Sequence, residues 1–304
     1  MKTKHMLHLL HNQNIRTTRQ MPTPAKLKEE FCMTNEMCRR VLEGRGAVRN
    51  IITSHDKRFL IAAGPCSMHD HNEYLEYTRR SCQLAEKVSD VILLIQRANP
   101  LKPRSESNGW RGMAADHSMK GERDLIASCR KVRHIMWEAV QMGALLATEI
   151  MDPNHYQYVD DLPVFAWIGA DNCTNTRLRE VASGLSCSVG CKHPKQLHSV
   201  ISAVRALGFV SVSNTFLAQN DHGRFTEFTT EGNIGCIIHR GFEVSPGVHQ
   251  PNYDRESLRV SREDLQKAGL NQHKLIDLSH SNASKKHEQQ VKVLNTVLEL
   301  RDEG

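Results

Sequence analysis

Residues 61–70 read Ile-Ala-Ala-Gly-Pro-Cys-Ser-Met-His-Asp. The apolar run, extended back to Phe59, has the length of a β-strand, and the Gly-Pro pair ends it. A thiol, a hydroxyl, an imidazole and a carboxylate then follow within five residues. In parallel sheets and barrels, residues just past the carboxyl ends of the strands line the active site. The stretch therefore predicts a strand whose carboxyl end carries active-site residues. For Cys66 taken alone, the alternative is a small buried residue of the core.

Length and composition narrow the class of protein. The chain has 304 residues, 39% of them hydrophobic, which is enough for one large α/β domain or two ordinary ones. Its net charge of +6 comes from scattered basic residues, which argues against nucleic acid and favours a small anionic substrate. Nine cysteines without a Cys-x-x-Cys pair indicate reduced cytosolic thiols. No apolar run approaches membrane-spanning length, so we expect a cytoplasmic protein with no membrane partner.

Strand-like and helix-like segments alternate along most of the chain. Further apolar runs of strand length occupy residues 91–95, 145–148, 164–168, 188–191, 235–239 and 274–278. Helical periodicity fills most of the intervals, as in residues 74–88 and 125–139. This alternation predicts a parallel sheet, and the lack of a Gly-x-Gly-x-x-Gly turn favours a barrel over a dinucleotide-binding fold. The predicted fold class is α/β of the (β/α)₈ TIM-barrel type, with seven βα units present and an eighth strand missing.

Two segments depart from the alternation. Residues 1–50 are predicted to form an N-terminal arm outside the core, with a helix over 24–42 that stops at Gly44-Arg45-Gly46. Residues 51–304 would form the barrel domain. Within that domain, residues 209–230 combine two β-rich runs with Asn220-Asp221-His222-Gly223 between them, which predicts an inserted hairpin.

Polar or titratable residues follow the predicted strands at seven places. They are Cys66, Arg97, Glu149, Asp171, Lys192, Arg240 and His280. Each has an ordinary alternative on its own: a surface arginine, a salt-bridge glutamate or a core histidine. Taken together they predict one charged mouth, if the barrel assignment holds. Arginine and lysine suit phosphate and carboxylate, whereas a thiolate and an imidazole suit a borderline divalent metal.

Several motifs also resemble one enzyme family, in order from about residue 22 to residue 300. They are Gly64-Pro65-Cys66-Ser67-Met68-His69-Asp70, Lys102-Pro103-Arg104 with Gly109-Trp110, Ala182-Ser183-Gly184-Leu185-Ser186-Cys187-Ser188-Val189-Gly190, His239-Arg240-Gly241, Pro251-Asn252-Tyr253 and Ile276-Asp277-Leu278-Ser279-His280-Ser281-Asn282. Together they resemble type I 3-deoxy-D-arabino-heptulosonate 7-phosphate (DAHP) synthase.

The resemblance implies a (β/α)₈ barrel that condenses phosphoenolpyruvate with erythrose 4-phosphate, the first step of the shikimate pathway to aromatic amino acids. It implies a divalent metal ion of the manganese, iron, cobalt or zinc type that polarises the aldehyde. The methylene carbon of phosphoenolpyruvate then attacks, water adds and phosphate leaves. A homo-oligomer in which the N-terminal arm packs on a neighbouring subunit is implied as well. Any feedback pocket would lie near Asp152, Gln157 and Ser186.

Individual site residues carry implied roles by the same resemblance. These are metal binding for Cys66 and His280, phosphoenolpyruvate binding for Arg97, Lys192 and Arg240, contact with both substrates and proton transfer for Lys102, grip on the sugar phosphate for Arg104 and Ser105, and a place beside phosphoenolpyruvate for Glu149. Cys66, Lys102 and His280 are thus the catalytic candidates.

The chain also departs from the family pattern. Asp171 stands where the family has a phosphate-binding arginine, and the family's metal-binding Glu and later Asp have no counterpart, so metal binding is expected to be weak. Two interpretations stay open: an active or weakly active DAHP synthase, and a degenerate homologue that acts as a binding or regulatory subunit. A nucleic-acid binder is a third, disfavoured by the scattered charge.

Overall fold

The computed structural model describes residues 10–104, 108–196 and 199–302 and has a mixed α/β fold. Its strands are β1 (Phe59–Ala63), β2 (Ile92–Arg97), β3 (Leu146–Ile150), β4 (Pro163–Ile168), β5 (Ser188–Lys192), β6 (Thr215–Gln219), β7 (Phe225–Thr229), β8 (Gly235–His239), β9 (Phe242–Ser245), β10 (Val248–Gln250) and β11 (Lys274–Ile276). Its helices are α1 (Pro24–Glu30), α2 (Asn35–Ile52), α3 (His71–Lys87), α4 (Leu125–Gln141), α5 (Pro153–Tyr156), α6 (Thr176–Ser183), α7 (Ile201–Val210), α8 (Arg255–Lys267) and α9 (Gln289–Asp302).

Seven strands form one curled parallel sheet in the order β1-β2-β3-β4-β5-β8-β11. Strands β4 and β8 are buried along their whole lengths, as expected for parallel strands covered on both faces. Within this sheet each strand lies beside the sheet strand that precedes it along the chain, because the connections return the chain to the growing sheet. The hairpins β6–β7 and β9–β10 interrupt the numbering after β5 and β8. The predicted TIM-barrel-type α/β fold is confirmed, with strand limits that differ from the prediction by up to two residues.

The edge strand β1 is contacted by α9, the helix that follows the other edge strand, β11. The guanidinium of Arg301, near the end of α9, lies 3.5 Å from the ring centroid of Phe59 in β1. Its Nη2 also donates to the backbone carbonyl of Lys57 at 2.5 Å. Helix α9 therefore covers part of the β1 edge of the sheet.

The predicted helix over residues 24–42 was wrong in both its continuity and its end. Two helices form instead: Thr23 caps α1 by accepting from Lys26 N, and Thr34 caps α2 by accepting from Met37 N. Helix α2 continues through the glycines because Gly44 packs against the sheet. A Cβ at that position would lie 2.7 Å from a side-chain carbon of Leu145. The glycine thus permits a close approach and does not end the helix.

Helices α1 and α2 pack on the amino-terminal end of the barrel. Val48 and Ile52 of α2 are fully buried, in the same core as Ile95 of β2. Arg45 of α2 donates from Nε to the carbonyl of Pro163, at the start of β4, at 3.0 Å. The expectation of an arm outside the core was therefore wrong for residues 24–50, because apolar side chains of this segment are buried in the core at the ends of the strands. Division of the chain at residue 50 stays a prediction.

The predicted hairpin forms from β6 and β7, which pair antiparallel. Its tip runs from Asn220 to Gly223, where φ is +75°. The expected first strand began too early, because Phe209 and Val210 end α7. Val204, Leu207 and Val210 of that helix are buried, so its apolar residues form a helical face and not a strand.

Residues 242–250 form a second, smaller hairpin from β9 and β10, at the carboxyl end of the sheet. It begins directly after Arg240 and Gly241, and Glu243 N in β9 donates to the carbonyl of Lys195 at 3.0 Å. The insertion therefore lies beside the loop that follows β5.

All nine cysteines are free thiols, in agreement with the sequence-based expectation of unpaired cysteines. Cys191 in β5 and Cys236 in β8 are fully buried. Among the described helices, none combines the length and apolarity needed to cross a bilayer.

Candidate active site

Titratable side chains collect at the carboxyl end of the parallel sheet. Arg97 and Lys192 end β2 and β5, and Arg240 follows β8 directly. Because the strands are parallel, residues at these ends lie along one rim. The other four predicted positions, at the ends of β1, β3, β4 and β11, are Cys66, Glu149, Asp171 and His280. We call the rim formed by these seven residues the mouth.

At the β1 side of the mouth, Cys66 contacts Lys102. Lys102 Nζ lies 2.6 Å from Cys66 Sγ and donates to the Cys66 carbonyl at 2.9 Å. Partial burial raises the pKa of the Cys66 thiol, but Lys102, Arg97 and Arg104 outweigh it, so this pKa is lowered. Lys102, which is half-buried, thus stabilises the thiolate form of the exposed Cys66.

At the β11 side of the mouth, Asp277 joins two other residues. Its Oδ2 lies 2.5 Å from Lys192 Nζ and 2.7 Å from His280 Nδ1. Burial raises the pKa of Asp277, but Lys192 and His280 outweigh it and hold that pKa well below its usual range. Contact with Asp277 raises the pKa of His280, yet burial and Lys192 together lower it, which favours a neutral imidazole.

His280 has a φ of +49°, which is uncommon for a residue with a Cβ. Lys285 N donates to the His280 carbonyl at 2.6 Å, and this turn helps to hold the conformation. Strain of this kind costs of order 1–3 kcal/mol and persists where surrounding contacts enforce it. The imidazole is thus aimed at the mouth by a constrained loop.

Arg240 is the most deeply buried cation of the mouth, with 2% of the residue exposed. Its Nη1 has no hydrogen-bond partner among the described residues. Burial lowers the pKa of Arg240, while Asp277, Asp171 and Glu243 act in the opposite direction through space. A buried guanidinium with an unsatisfied nitrogen is suited to receive an anion.

Glu149 and Arg97 occupy the side of the mouth between β2 and β4. Burial raises the pKa of Glu149, although Lys192 and Arg97 oppose the effect. Its carboxylate lies directly over Gly169, where a Cβ would overlap Glu149 Oε1. The guanidinium of Arg97 lies 5.8 Å from the ring centroid of Trp167.

Two residues were predicted to grip a sugar phosphate. Arg104 Nε donates to the carbonyl of Trp110 at 3.0 Å, and Arg104 is close enough to Cys66 to help lower the thiol pKa. Ser105 lies outside the described residues.

Asp171 has a partner that the sequence analysis did not single out. Lys195, in the loop after β5, places Nζ 2.9 Å from Asp171 Oδ1. Lys195 thus places a positive charge beside the Asp171 carboxylate. This partly offsets the replacement of the family's arginine by an acidic residue. Asp277 was missed in the same way: its place directly after β11 was a usable signal, whereas the loop position of Lys195 offered none.

The metal site implied by the resemblance is not completed by the residues at the mouth. Cys66 Sγ contacts Lys102, and His280 Nδ1 contacts Asp277. Within residues 10–104, 108–196 and 199–302, no group of three or more His, Cys, Asp or Glu side chains is arranged to hold a metal ion. Two donors are fewer than the three or four protein ligands usual for zinc. The described donor set therefore does not fit a tightly bound ion.

A separate cavity of about 640 Å³ lies on the outer side of the sheet, between α5, α6 and the hairpin β6–β7. Gln157, Arg177, Phe216 and Phe228 are among its lining residues. Arg177 lies 5.0 Å from the Phe216 ring centroid. Gln157 is one of the three residues expected near a feedback pocket.

Comparison with known proteins agrees with this geometry. The family model of the DAHP synthetase I family matches residues 24–300. The chain is 34% identical over 296 residues to the Tyr-sensitive phospho-2-dehydro-3-deoxyheptonate aldolase of Escherichia coli K12, an alignment that covers 97% of this chain and 81% of that protein. It is 32% identical to the Trp-sensitive aldolase of Buchnera aphidicola, covering 95% and 82%.

The solved structure of phospho-2-dehydro-3-deoxyheptonate aldolase from Francisella tularensis SCHU S4 superimposes with a TM-score of 0.90 at 30% identity, covering 94% of this chain and 82% of that one. The family match spans the sheet and every residue of the mouth. On these grounds the chain belongs to the DAHP synthetase I family.

Proposed function

We propose that the mouth binds phosphoenolpyruvate and erythrose 4-phosphate and that the chain condenses them to DAHP. The observation that carries this proposal is Arg240, a cation that is 98% buried and whose Nη1 has no described partner. A buried unpaired charge is costly, so an anionic ligand would relieve it. Arg97 and Lys192 line the same mouth, and a planar guanidinium suits a phosphate or carboxylate.

The proposed roles follow from the contacts. Arg97, Lys192 and Arg240 would hold phosphoenolpyruvate, with Glu149 beside it. Lys102 Nζ, now against Cys66 Sγ, would donate a proton to the aldehyde oxygen as the methylene carbon of phosphoenolpyruvate attacks. Water would then add to the resulting cation and phosphate would leave.

Arg104 and Ser105 would grip the sugar phosphate. Such a site accelerates the reaction mainly by holding both substrates in attack geometry. We place this activity in the cytoplasm, where free thiols such as those of this chain persist.

A second candidate function is a binding or regulatory subunit with weak or no turnover. It is favoured by the acidic Asp171 at the mouth and by the two-donor set of Cys66 and His280. The two-donor set weakens metal-assisted activation of the aldehyde, and Asp171 takes the place of one anion-binding cation, whereas Arg97, Lys192 and Arg240 remain to bind an anion.

One experiment separates the two candidates. Phosphate release from phosphoenolpyruvate is measured with and without erythrose 4-phosphate, alongside phosphoenolpyruvate binding by calorimetry. We expect phosphoenolpyruvate binding together with turnover that is slow, below about 1 s⁻¹, but that requires erythrose 4-phosphate. Binding without any such turnover would favour the regulatory candidate. Turnover at or above that value, dependent on erythrose 4-phosphate, would contradict the regulatory candidate. Absence of binding would contradict both candidates.

Metal binding is expected to be weak and biased toward zinc over manganese, because a thiolate and an imidazole are the donors available. Calorimetry with Zn²⁺ and Mn²⁺ checks this, with Cys66→Ala as the variant and Cys38→Ala, an exposed cysteine of α2, as its control. Tight manganese binding that Cys66→Ala abolishes would show that further ligands complete the site.

The chain is also proposed to form a homo-oligomer through its amino-terminal segment. Residues 10–20 are exposed along their whole length, whereas Leu27, Met37 and Val41 are buried in the core. Deletion must therefore stop at residue 20, because removal of residues 1–45 would take away core side chains. Deletion of residues 1–20 should lower the mass measured by light scattering, with circular dichroism as the check on folding. An unchanged mass would argue against this role.

A further inference from the structure

A buried polar network lies beneath the β5, β8 and β11 side of the mouth. It consists of His193 after β5, His239 at the end of β8, Asn252 before α8, and Asn282 after β11. Each of these residues is no more than 3% exposed. The network therefore ties together the three strand ends that carry Lys192, Arg240 and His280, and we call it the bracing network.

His193 has a defined tautomer within this network. Its Nδ1 lies 2.9 Å from the carbonyl of Pro194, which can only accept, so Nδ1 carries the proton. Its Nε2 is then an acceptor, and it receives the backbone N–H of Arg240 at 3.1 Å. Asn252 Nδ2 lies 3.0 Å from the same nitrogen and donates to it. Burial lowers the pKa of His193 to about 3, which keeps this acceptor available at neutral pH.

Asn252 connects the network to the rest of the mouth. Its Oδ1 accepts from Gly241 N at 2.8 Å, and its carbonyl accepts from His239 Nδ1 at 2.8 Å. Its own N–H donates to Asn282 Oδ1 at 3.0 Å. Asn282 in turn donates from Nδ2 to the Asp277 carbonyl at 2.9 Å. Asn252 thus connects the segments that follow β5, β8 and β11 on one side of the mouth.

These contacts hold the backbone of residues 240 and 241 on each face. Arg240 N–H is bound by His193, and the Arg240 carbonyl accepts from Asn282 N at 3.2 Å. Gly241 has a φ of +72°, and a Cβ there would lie 2.8 Å from Asn282 N. The Arg240 Nη1, in contrast, has no described partner. The hydrogen bonds described at this residue therefore fix its backbone, from which the guanidinium projects.

We propose that His193 is a positioning residue: its neutral imidazole accepts the Arg240 backbone N–H and thereby aims the Arg240 guanidinium at an anionic substrate. The ligand named here, phosphoenolpyruvate, rests on the proposed function. The positioning itself rests on the geometry of the ligand-free chain. Removal of the acceptor leaves a buried Arg240 N–H and a buried Asn252 amide unsatisfied, and the strand end then relaxes.

Two variants test the acceptor. His193→Leu removes it, whereas His193→Gln can place Oε1 near the position of Nε2 and keep it. Arg45→Met is the matched control: it removes hydrogen bonds from Arg45 to the carbonyls of Pro163 and Asp160, at the opposite end of the barrel. Phosphoenolpyruvate affinity is measured by calorimetry, and stability by thermal melting.

We expect His193→Leu to weaken phosphoenolpyruvate binding at least tenfold and His193→Gln to restore it to within about threefold of the unmodified chain. Arg45→Met should lower the melting temperature without changing the affinity. Equal affinities in His193→Leu and the unmodified chain would overturn the proposal. So would an equal loss of affinity in His193→Leu and Arg45→Met, because affinity would then follow stability alone.

Two ligand-free measurements separate this proposal from the proposed function. Ring ¹⁵N spectra should show His193 as the Nδ1–H tautomer from pH 5 to pH 9. Amide exchange at Arg240 should accelerate at least tenfold in His193→Leu and recover in His193→Gln. If these results hold while the unmodified chain binds no phosphoenolpyruvate, the proposed function fails and the positioning stands. A protonated or Nε2–H His193, or unchanged Arg240 exchange in His193→Leu, overturns the positioning whatever the ligand.

Discussion

Replacement of Arg240 by methionine should weaken phosphoenolpyruvate binding by roughly two to three orders of magnitude and leave the fold at least as stable. Loss of one partner from a buried charge pair typically costs about 2–5 kcal/mol of binding free energy, and 1.4 kcal/mol is tenfold. Stability should not fall, because Arg240 is 2% exposed and its Nη1 has no described partner to lose. Methionine fills much of the same volume without a buried charge.

Calorimetric titration gives the affinity, and urea denaturation gives the free energy of unfolding. Arg259→Met is the control, because Arg259 pairs with Glu256 on the exposed face of α8 at 2.6 Å. Its loss should leave binding unchanged. A variant Arg240→Met that binds phosphoenolpyruvate as tightly as the unmodified chain would remove the observation on which the proposed function rests.

Replacement of Asp277 by asparagine should lower the free energy of unfolding by about 3–5 kcal/mol at pH 7, the range seen when one partner of a buried ion pair is removed. The side chains of Asp277 and Lys192 are only 12% and 13% exposed, so the lysine would be left buried without its counter-charge. The double variant Asp277→Asn with Lys192→Met should recover most of the loss, because it removes both charges.

The pH dependence has a definite sign. Lys192 and His280 hold the folded-state pKa of Asp277 below its unfolded value of about 3.9. Its contribution to stability is therefore fully present above that unfolded value and is lost as the pH falls through the lower folded value. The stability difference between the unmodified chain and Asp277→Asn should be constant from about pH 6 to pH 8 and shrink below about pH 4.

Urea denaturation across this pH range checks the prediction, with Glu36→Gln as the control. Glu36 is an exposed residue of α2 that pairs with Arg39, and because solvent screens this pair, its replacement should change the pH profile far less than that of Asp277. A difference that grew toward acidic pH would show that Asp277 is protonated in the folded state and that Lys192 is not its partner.

Local patterns were sufficient for most of the fold. The period of two or of 3.6 in apolar residues is set by backbone geometry within one element, so strands and helices could be predicted before their neighbours were known. The same logic failed at Gly44 and at Phe209. Gly44 suits a helix stop in isolation, but in the fold it allows α2 to approach Leu145. The run that begins at Phe209 has the composition of a strand, but in the fold Phe209 lies on the last turn of α7.

By itself, the sequence determined the α/β class, the strand ends that carry Cys66, Arg97, Lys192 and Arg240, and the family resemblance, because each depends on residues close together in the chain. Only the tertiary structure decided which charges meet. Lys195 pairs with Asp171 across 24 residues, and Asp277 pairs with Lys192 across the ends of β5 and β11. Such pairings depend on strand order and loop path, and a buried charge takes whichever partner the folded chain brings within about 3 Å.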